Sequence, residues 1–261
     1  MPNRWFPVTE YLKTRVSSFD DLIEKGGIEA GNTVLVSGGC GVGKTVFTLQ
    51  SLYNGALAGE KGMFISLSED VEKIRANMIN NFGWDLASLE EKGLLSLQKV
   101  DPFYLAEDVT SLIVNRQKRS SIDRSLFDGH DSLSLVDSRS VKMPFKPDRI
   151  VLDSVSTLEA AFTNKDHYRI YIQALVDSLN QHNSLNFLIC ESEQDPSLYS
   201  KTGIEEFLVD GVIVFYNLRK GQVRRRALEI LKLRCSDHVK ELVSYMITGE
   251  GIKIMPGEQV F

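Results

Sequence analysis

The sequence predicts an α/β fold in which helices flank a mainly parallel β-sheet, with antiparallel strands added at the C-terminal end. Helical and apolar strand-like segments alternate up to Glu191, which is the pattern of a parallel sheet. Four strand-like segments then follow one another between Gly211 and Met255, and this favours antiparallel neighbours. A length of 261 residues suits one large domain as well as two small ones. Because no convincing linker divides the chain, we expect a single domain over residues 1–261.

The first predicted elements surround a glycine-rich turn. Residues 17–23 are expected to form a short capped helix that ends at Gly26 and Gly27. An apolar, β-branched strand over residues 33–36 then leads into the turn. The helix after the turn carries its apolar side chains on one face, namely Val46, Leu49, Leu52 and Tyr53.

The middle of the chain continues the alternation of strands and helices. A strand at 63–67 precedes a helix that starts near Val71, and a short helix at 85–92 is followed by a strand at 94–97. Residues 104–118 are a further amphipathic helix candidate. Residues 119–147 are rich in Ser and Asp without a sustained period, so we expect a surface excursion there. Its His130 is interpreted as a solvated loop histidine.

The last third of the chain begins with a buried strand at 149–153 that ends in Asp153. A long helix over about residues 166–182 precedes a strand at 187–191 and a polar loop at 194–203. The remaining strands are expected at 211–218, 222–233, 242–248 and 251–255.

The glycine-rich turn carries the most specific chemical pattern in the sequence. Gly38, Gly43, Lys44 and Thr45 complete G-x-x-x-x-G-K-[ST], the phosphate-binding loop. Glycines let successive backbone N–H groups turn inward around an anion, and the following helix adds a partial positive charge at its N-terminus. Lys44 is expected to reach the β- and γ-phosphates, and the Thr45 hydroxyl to bind Mg²⁺. A purely structural glycine turn is the alternative.

Asp153 fits the second signature of a nucleotide site, an apolar strand that ends in an acid. Such an aspartate holds Mg²⁺ through water or accepts a hydrogen bond from the metal-binding Thr. Alone the pattern is weak, because a helix N-cap is equally compatible with it. Downstream of a phosphate loop it favours a metal role for Asp153.

Composition argues against several classes of protein, namely nucleic-acid binders, disulfide-rich or zinc proteins and membrane proteins. A net charge of −5 argues mildly against a dedicated nucleic-acid binder. The three cysteines, Cys40, Cys190 and Cys235, are odd in number and far apart, which favours reduced thiols over a disulfide framework or a zinc site. No apolar run approaches the roughly 20 residues needed to cross a bilayer, and the first residues do not resemble a signal peptide. We therefore expect a cytoplasmic protein without a membrane partner.

Five stretches in the right order resemble the KaiC-like branch of the RecA-type ATPases. They cover most of the chain from about Thr14 to Ile254 and read SSFDDLIEKGGIEAGNTVLVSGGCGVGKT, FGWDL, RIVLDSVSTL, GIEEFLVDGVIVFY and RRRALEILKLRCSDHVKELVSYMITGEGIKI. The resemblance implies a RecA-like P-loop NTPase core, ATP and Mg²⁺ as cofactors, and self-association into a ring, with a homohexamer as the expected form. It places the nucleotide on Gly39, Cys40, Gly41, Val42, Gly43, Lys44, Thr45 and Val46.

The resemblance also assigns roles to residues outside the phosphate loop. In the family, a K-L-R motif on a late strand reaches the γ-phosphate of the neighbouring subunit, and Lys232-Leu233-Arg234 matches it. Alternation along a strand puts Lys232 and Arg234 on one face, although a strand with a solvated basic face is the alternative. His238 falls where the family places a residue near the nucleotide. A pair of acids that polarises water in the family aligns here with Ser68-Glu69, so the first carboxylate is missing. Glu69 is then the expected base, with Asp70 as the alternative, and a single carboxylate implies slow hydrolysis.

Two departures from the circadian clock protein of this family limit the analogy. Where its phosphorylating half has a Ser-Thr pair, this chain has Glu206-Phe207, so no autophosphorylation is expected. The chain has one ATPase domain where the clock protein has two, so a circadian role does not follow.

Two other functions remain open at this point. A non-hydrolysing, ATP-dependent scaffold or switch is motivated by Ser68 in place of an acid. A DNA-acting recombinase paralogue is disfavoured because its candidate loops, 161–167 and 194–203, carry as many acids as bases or more and few aromatics. The protein client that would couple to ATP is unidentified.

Overall fold

A computed structural model describes residues 10–107, 110, 141–162, 164–192, 199–258 and 260. Among these residues, the chain forms one nine-stranded sheet and a separate pair of very short strands. The pair is β1 (Tyr11–Leu12) with β2 (Ile28–Glu29), antiparallel and too short to show in the sequence pattern.

The large sheet has the strand order β11-β10-β9-β8-β3-β7-β6-β4-β5. Its parallel part contains β3 (Thr33–Gly38), β4 (Gly62–Ser66), β5 (Leu95–Lys99), β6 (Arg149–Asp153), β7 (Leu185–Glu191) and β8 (Gly211–Lys220). Its antiparallel part contains β9 (Val223–Leu233), β10 (Val243–Thr248) and β11 (Gly251–Met255). The predicted mainly parallel sheet with C-terminal antiparallel strands is therefore confirmed.

Helices cover both faces of the sheet. They are α1 (Lys44–Leu57), α2 (Val71–Phe82), α3 (Leu86–Glu91), α4 (Lys165–Asn180) and α5 (Glu205–Leu208), with 3₁₀ turns at Asp20–Leu22 and Val155–Ala161. Alternate β3 residues point to opposite faces: Val34 lies in a core with Phe47 of α1, whereas Leu35 lies in a core with Tyr171 of α4. The sheet is thus buried on both sides, as a parallel sheet requires. Within the described residues, no helix is both long and apolar enough to cross a membrane.

The predicted capped helix at 17–23 is wrong. Only a 3₁₀ turn forms, at Asp20–Leu22, and no side chain caps it. The Asp20 carboxylate instead accepts hydrogen bonds from the backbone N–H groups of Thr14 (2.7 Å) and Arg15 (3.0 Å). A carboxylate engaged on the preceding segment competes with local helix formation.

The expected surface excursion at 119–147 is partly corrected. Residues 119–140, including His130, lie outside the described residues, as do most of 104–118 and residues 193–198 of the expected polar loop. Val141, however, is buried in the core that contains Leu35, and the Lys142 backbone N–H donates to Gln98 Oε1 at 3.0 Å. The final part of the 119–147 segment therefore packs against the β5 side of the sheet.

Candidate functional site

The site lies at the carboxyl edge of the parallel strands. Strand pairing aligns Gly38 at the end of β3 with Glu191 at the end of β7, and Ser66 at the end of β4 with Asp153 at the end of β6. Ligands of open α/β sheets bind at this edge. The arrangement therefore brings the glycine-rich loop and two strand-terminal carboxylates together.

The glycines of the loop are required by its backbone. Gly43, the N-cap of α1, has a φ of 97°, which lies in the left-handed region that side chains disfavour. A Cβ on Gly43 would also lie 2.8 Å from Ile247 Cδ1 of β10. Between the glycines, Cys40 and Gly41 are exposed, whereas Val42 is buried and its carbonyl accepts a 2.5 Å hydrogen bond from the Tyr245 hydroxyl. The loop is thus fixed from one side and open on the other.

Lys44 is held inside the loop. Its Nζ donates to the carbonyl oxygens of Gly38 (2.7 Å) and Gly39 (2.9 Å), and the residue is only 9% exposed. Burial lowers the pKa of Lys44, while the negative charges of Glu191 and Asp153 act in the opposite direction. Carbonyl groups hold the ammonium where the motif requires a phosphate-binding cation.

Thr45 and Asp153 are in direct contact. The Thr45 hydroxyl donates to Asp153 Oδ2 at 2.7 Å, although the two residues are 108 positions apart. Burial raises the pKa of Asp153, with the Glu69 and Glu191 charges acting in the same direction and the Thr45 hydrogen bond and Lys44 charge opposing it. The two oxygen groups predicted to serve a metal are therefore adjacent, and Asp153 is not the N-cap of a regular α-helix.

Glu69 lies just beyond the end of β4. It is half-buried, and its backbone N–H and C=O both bond the Ser66 hydroxyl, at 3.0 and 2.6 Å. Its carboxylate lies 3.6 Å from the Lys73 ammonium, and its charge acts on Asp153. Ser68 is exposed beside it. Glu69 is thus near the Thr45–Asp153 pair, with an exposed lysine as its ion-pair partner.

Glu191 was missed by the sequence analysis. It pairs with Gly38 in the β3–β7 register, its side chain is exposed, and its charge opposes the lowering of the Lys44 pKa by burial. Its backbone N–H donates to the Ser156 hydroxyl at 2.8 Å, which fixes the end of β7. The sequence does contain a relevant pattern, because the apolar strand at 187–191 ends in an acid, as the strand at 149–153 does. Only the strand order shows, however, that β7 adjoins the phosphate loop.

Lys232 and Arg234 lie at the opposite edge of the sheet from the phosphate loop. Leu233 between them pairs with Gly211, which pairs with Val34 near the start of β3. From Val34 to Gly38 the strand rises about 13 Å, and the loop lies beyond Gly38. Neither cation is therefore brought to the phosphate loop of its own chain.

Both cations have partners near the surface. The Lys232 Nζ donates to the Glu206 carbonyl at 3.0 Å, and Arg234 Nη1 lies 2.9 Å from Asp210 Oδ1. Burial lowers the pKa of Lys232, as does the charge of Arg234, whereas Asp210 and Glu206 act in the opposite direction. The Arg234 side chain remains 56% exposed, so this ion pair lies at the surface.

His238 and Val46 complete the predicted set. His238 lies between β9 and β10, where it bridges Ile23, and its backbone N–H bonds Asp237 Oδ1 at 3.0 Å. These contacts are not with the phosphate loop of the same chain. Val46, in the first turn of α1, is half-buried against the core that contains Phe47.

Comparison with known proteins gives consistent matches. A family profile described as the KaiC ATPase matches residues 12–259. The circadian clock oscillator protein KaiC of Synechococcus elongatus is 32% identical over 247 residues, which is 94% of this chain and 44% of that protein. KaiC of Nostoc sp. is 31% identical over 248 residues, 95% of this chain and 44% of that protein. The chain thus spans less than half the length of these curated relatives.

A solved structure matches over its whole length. The KaiC-like protein of the hyperthermophilic archaeon Pyrococcus horikoshii superposes with a TM-score of 0.73 at 27% identity, covering 95% of this chain and all of that one. The strand order described above is therefore that of a KaiC-like, RecA-type fold.

Proposed function

This chain belongs to the KaiC ATPase family, and on that premise we propose that it binds MgATP on its phosphate loop and hydrolyses it slowly, with a second copy of the chain completing the site. Separate residues would grip the phosphates, hold the metal, orient water and act between subunits.

The phosphate grip rests on the loop backbone and Lys44. Gly41 and Gly43 have φ values of 72° and 97°, conformations in which successive N–H groups can converge on an anion. The Lys44 ammonium would exchange the carbonyls of Gly38 and Gly39 for phosphate oxygens, which is favourable because burial in the loop strengthens a charge–charge contact. The loop would thus bind the triphosphate through residues Gly39 to Val46.

The residues present fit a magnesium ion. Thr45 Oγ1 and Asp153 Oδ2 are hard oxygen donors 2.7 Å apart, next to the lysine that would bind the phosphates. When bound with ATP, Mg²⁺ neutralises charge on the β- and γ-phosphates. Asp153 would hold it directly or through water, and ionisation of this buried carboxyl is favoured by a nearby cation.

Hydrolysis would depend on a single strand-terminal acid after β4. Glu69 would orient and deprotonate the attacking water. Its charge acts to raise the pKa of Asp153, so it lies close to the proposed metal site. Ser68 supplies no second carboxylate, so we expect slow turnover. The same serine supports a second candidate function, an ATP-dependent switch in which binding orders a subunit interface without turnover.

The position of Lys232 and Arg234 carries the proposal of a shared site. They lie at the amino edge of the sheet, whereas the phosphate loop lies at the carboxyl edge. Cations at the amino edge can serve a phosphate loop only if that loop belongs to another molecule. Head-to-tail contacts of this kind are heterologous and close into rings when the rotation permits. Cations supplied in this way to phosphoryl transfer accelerate it by about 10³–10⁵ in GTPase systems.

Subunit mixing tests the proposal. Lys44→Ala should abolish ATP binding by its own loop, and Arg234→Ala should lower turnover while leaving ATP binding intact. Mixed in equal amounts, the two impaired proteins should recover about a quarter of wild-type phosphate release, because about one heterologous interface in four pairs an intact loop with an intact arginine. No recovery, with both proteins binding into one assembly by light scattering, would refute the shared site. ATP binding without phosphate release in wild type, unchanged by Glu69→Gln, would favour the switch.

A further inference from the structure

We propose that Asp210 is a positioning residue that holds Arg234 in the orientation required to reach the nucleotide of a neighbouring copy. This inference rests on the proposed function, in which Arg234 acts between subunits. Asp210 is only 8% exposed. Among the residues that the structure describes, its hydrogen bonds are not with the phosphate loop, so it would act through Arg234.

Asp210 holds Arg234 at two points. Its Oδ1 accepts a hydrogen bond from Arg234 Nη1 at 2.9 Å, and its backbone carbonyl accepts the Arg234 backbone N–H at 2.9 Å. Arg234 has passed the end of β9, so without these two bonds its side chain would be free to sample many rotamers. The planar guanidinium is thus held through Nη1, while more than half of the side chain stays exposed.

The Asp210 carboxylate is itself immobilised. Its Oδ2 accepts hydrogen bonds from the Thr33 backbone N–H at 3.0 Å and from Asn180 Nδ2 at 3.3 Å. The Asp210 backbone N–H in turn donates to the Thr33 carbonyl at 2.8 Å. Thr33 is the first residue of β3, the strand that leads into the phosphate loop. Arg234 is therefore attached, through Asp210, to a central strand of the sheet.

The same segment also holds the second cation. Glu206 precedes Asp210 by four residues and accepts the Lys232 ammonium on its carbonyl. Glu205 beside it is fully buried, and its carboxylate accepts the Tyr168 hydroxyl at 2.7 Å, which anchors the segment to α4. Residues 205–210 therefore fix both cations of the proposed shared site from one place.

An ion pair that only stabilised the fold would give a different result on mutation. Arg234 is more than half exposed, and pairs of this kind contribute little to stability. If Asp210 served stability alone, its replacement would change unfolding and leave the turnover of the folded protein unchanged. If it positions Arg234, its replacement changes turnover, and the change depends on which subunit carries it.

Asp210→Asn tests the proposal, because asparagine keeps the shape and an acceptor for Thr33 but places no negative charge against Arg234. We expect turnover to fall about 10–100-fold, the range seen for outer-shell partners of metal ligands, with MgATP affinity unchanged. On an Arg234→Ala background, Asp210→Asn should cause no further loss, because the two residues act as a unit. Asp177→Asn, an exposed carboxylate on α4, is the matched control and should leave turnover unchanged.

Mixing with Lys44→Ala gives the decisive reading. Asp210→Asn subunits keep an intact phosphate loop, and Lys44→Ala subunits keep an intact Asp210–Arg234 pair, so the mixture should recover about a quarter of wild-type turnover. Recovery in the Arg234→Ala mixture but not in the Asp210→Asn mixture would overturn this inference alone. Recovery in neither would overturn the shared site together with it.

A milder variant covers the possibility that Asp210→Asn does not fold. Asn180→Ala keeps the Asp210 charge but removes one of the bonds that immobilise it. Turnover should fall about 3-fold or more, and again without a further loss on the Arg234→Ala background. A full, additive loss on that background would show that Asn180 and Asp210 act independently of Arg234.

Discussion

Replacing Glu60 by Gln is expected to destabilise the fold, because it removes one partner of an ion pair beside the elements that carry Lys44 and Asp153. Arg149 starts β6, which ends in Asp153, and it is only 1% exposed. Its guanidinium lies against Glu60 Oε2, at 2.6 Å from Nε and 2.5 Å from Nη2, and Nη1 donates to the hydroxyl of Ser51 on α1 at 3.0 Å. Arg149 therefore joins the start of β6 to α1 through Ser51 and to the turn after α1 through Glu60.

The magnitude follows from burial. Removing one partner of a buried ion pair costs about 3–5 kcal/mol, because the other charge is left uncompensated. We expect about 3 kcal/mol for Glu60→Gln, the low end of that range, since Gln keeps an oxygen and the Asp20 charge also acts on Arg149. In urea the unfolding midpoint should fall by roughly 1 M with an unchanged slope, for a slope near 3 kcal/mol/M.

The effect should also depend on pH. Burial acts to raise the pKa of Glu60, but the hydrogen bonds and charges of Arg15 and Arg149 outweigh it, so the pKa is lowered. A carboxyl with a lowered pKa stabilises the fold above its unfolded value and loses that contribution as the pH falls through the folded value. The gap between wild type and Glu60→Gln should be constant above about pH 5 and shrink below about pH 4.

Glu72→Gln is the matched control. Glu72 pairs with Arg75 at 2.5 Å on the exposed face of α2, and its side chain is 80% exposed, so its loss should cost at most about 1 kcal/mol. Equal unfolding midpoints for Glu60→Gln and Glu72→Gln would refute the reasoning that burial of Arg149 sets the magnitude.

Three further predictions concern the site. Gly43→Ala should weaken MgATP binding at least about 10-fold by calorimetric titration, because a left-handed φ and a close approach to Ile247 both oppose a Cβ; wild-type affinity would show that the loop adapts. Glu69→Gln should lower steady-state phosphate release at least about 100-fold without changing affinity, whereas an unchanged rate would remove its role as base. Burial raises the pKa of Cys190 to about 12, so iodoacetamide at pH 8 should modify exposed Cys40 and spare Cys190 until the protein unfolds, as mass spectrometry would show.

The sequence predicted those features that depend on local pattern. The phosphate loop, Lys44 and Thr45 follow from a fixed spacing, and the strand that ends in Asp153 has the bounds that its apolar run predicts. The contact between Thr45 and Asp153 could be anticipated because the phosphate loop and helix that follow β3 start at the same carboxyl edge of the parallel sheet at which β6 ends in Asp153. The predicted capped helix at 17–23 was wrong because the Asp20 carboxylate accepts a hydrogen bond from the Thr14 backbone N–H, six residues earlier. No local sequence pattern shows this contact.

The features that were missed depend on sheet order. Glu191 adjoins the phosphate loop only because β7 pairs with β3, and strand order cannot be read from apolar periodicity. Asp210 meets Arg234 because β9 runs antiparallel to β8, so that the end of β9 lies beside the start of β8. The pairing also contains a register shift between Val212 and Ile213, which apolar periodicity does not show. The opposite placement of Lys232 and the phosphate loop likewise becomes visible only in the folded sheet. Such relations are set by tertiary packing rather than by local propensity.

A structure of the protein assembled with Mg²⁺ and a non-hydrolysable ATP analogue tests the shared site most directly. We expect each triphosphate to lie on the Gly39–Val46 loop of one copy, with the Arg234 guanidinium of the adjacent copy within hydrogen-bond distance of its γ-phosphate and still held by Asp210. Nucleotide bound to a single copy, or an assembly in which residues 232–234 face away from every neighbouring phosphate loop, would contradict the proposed function.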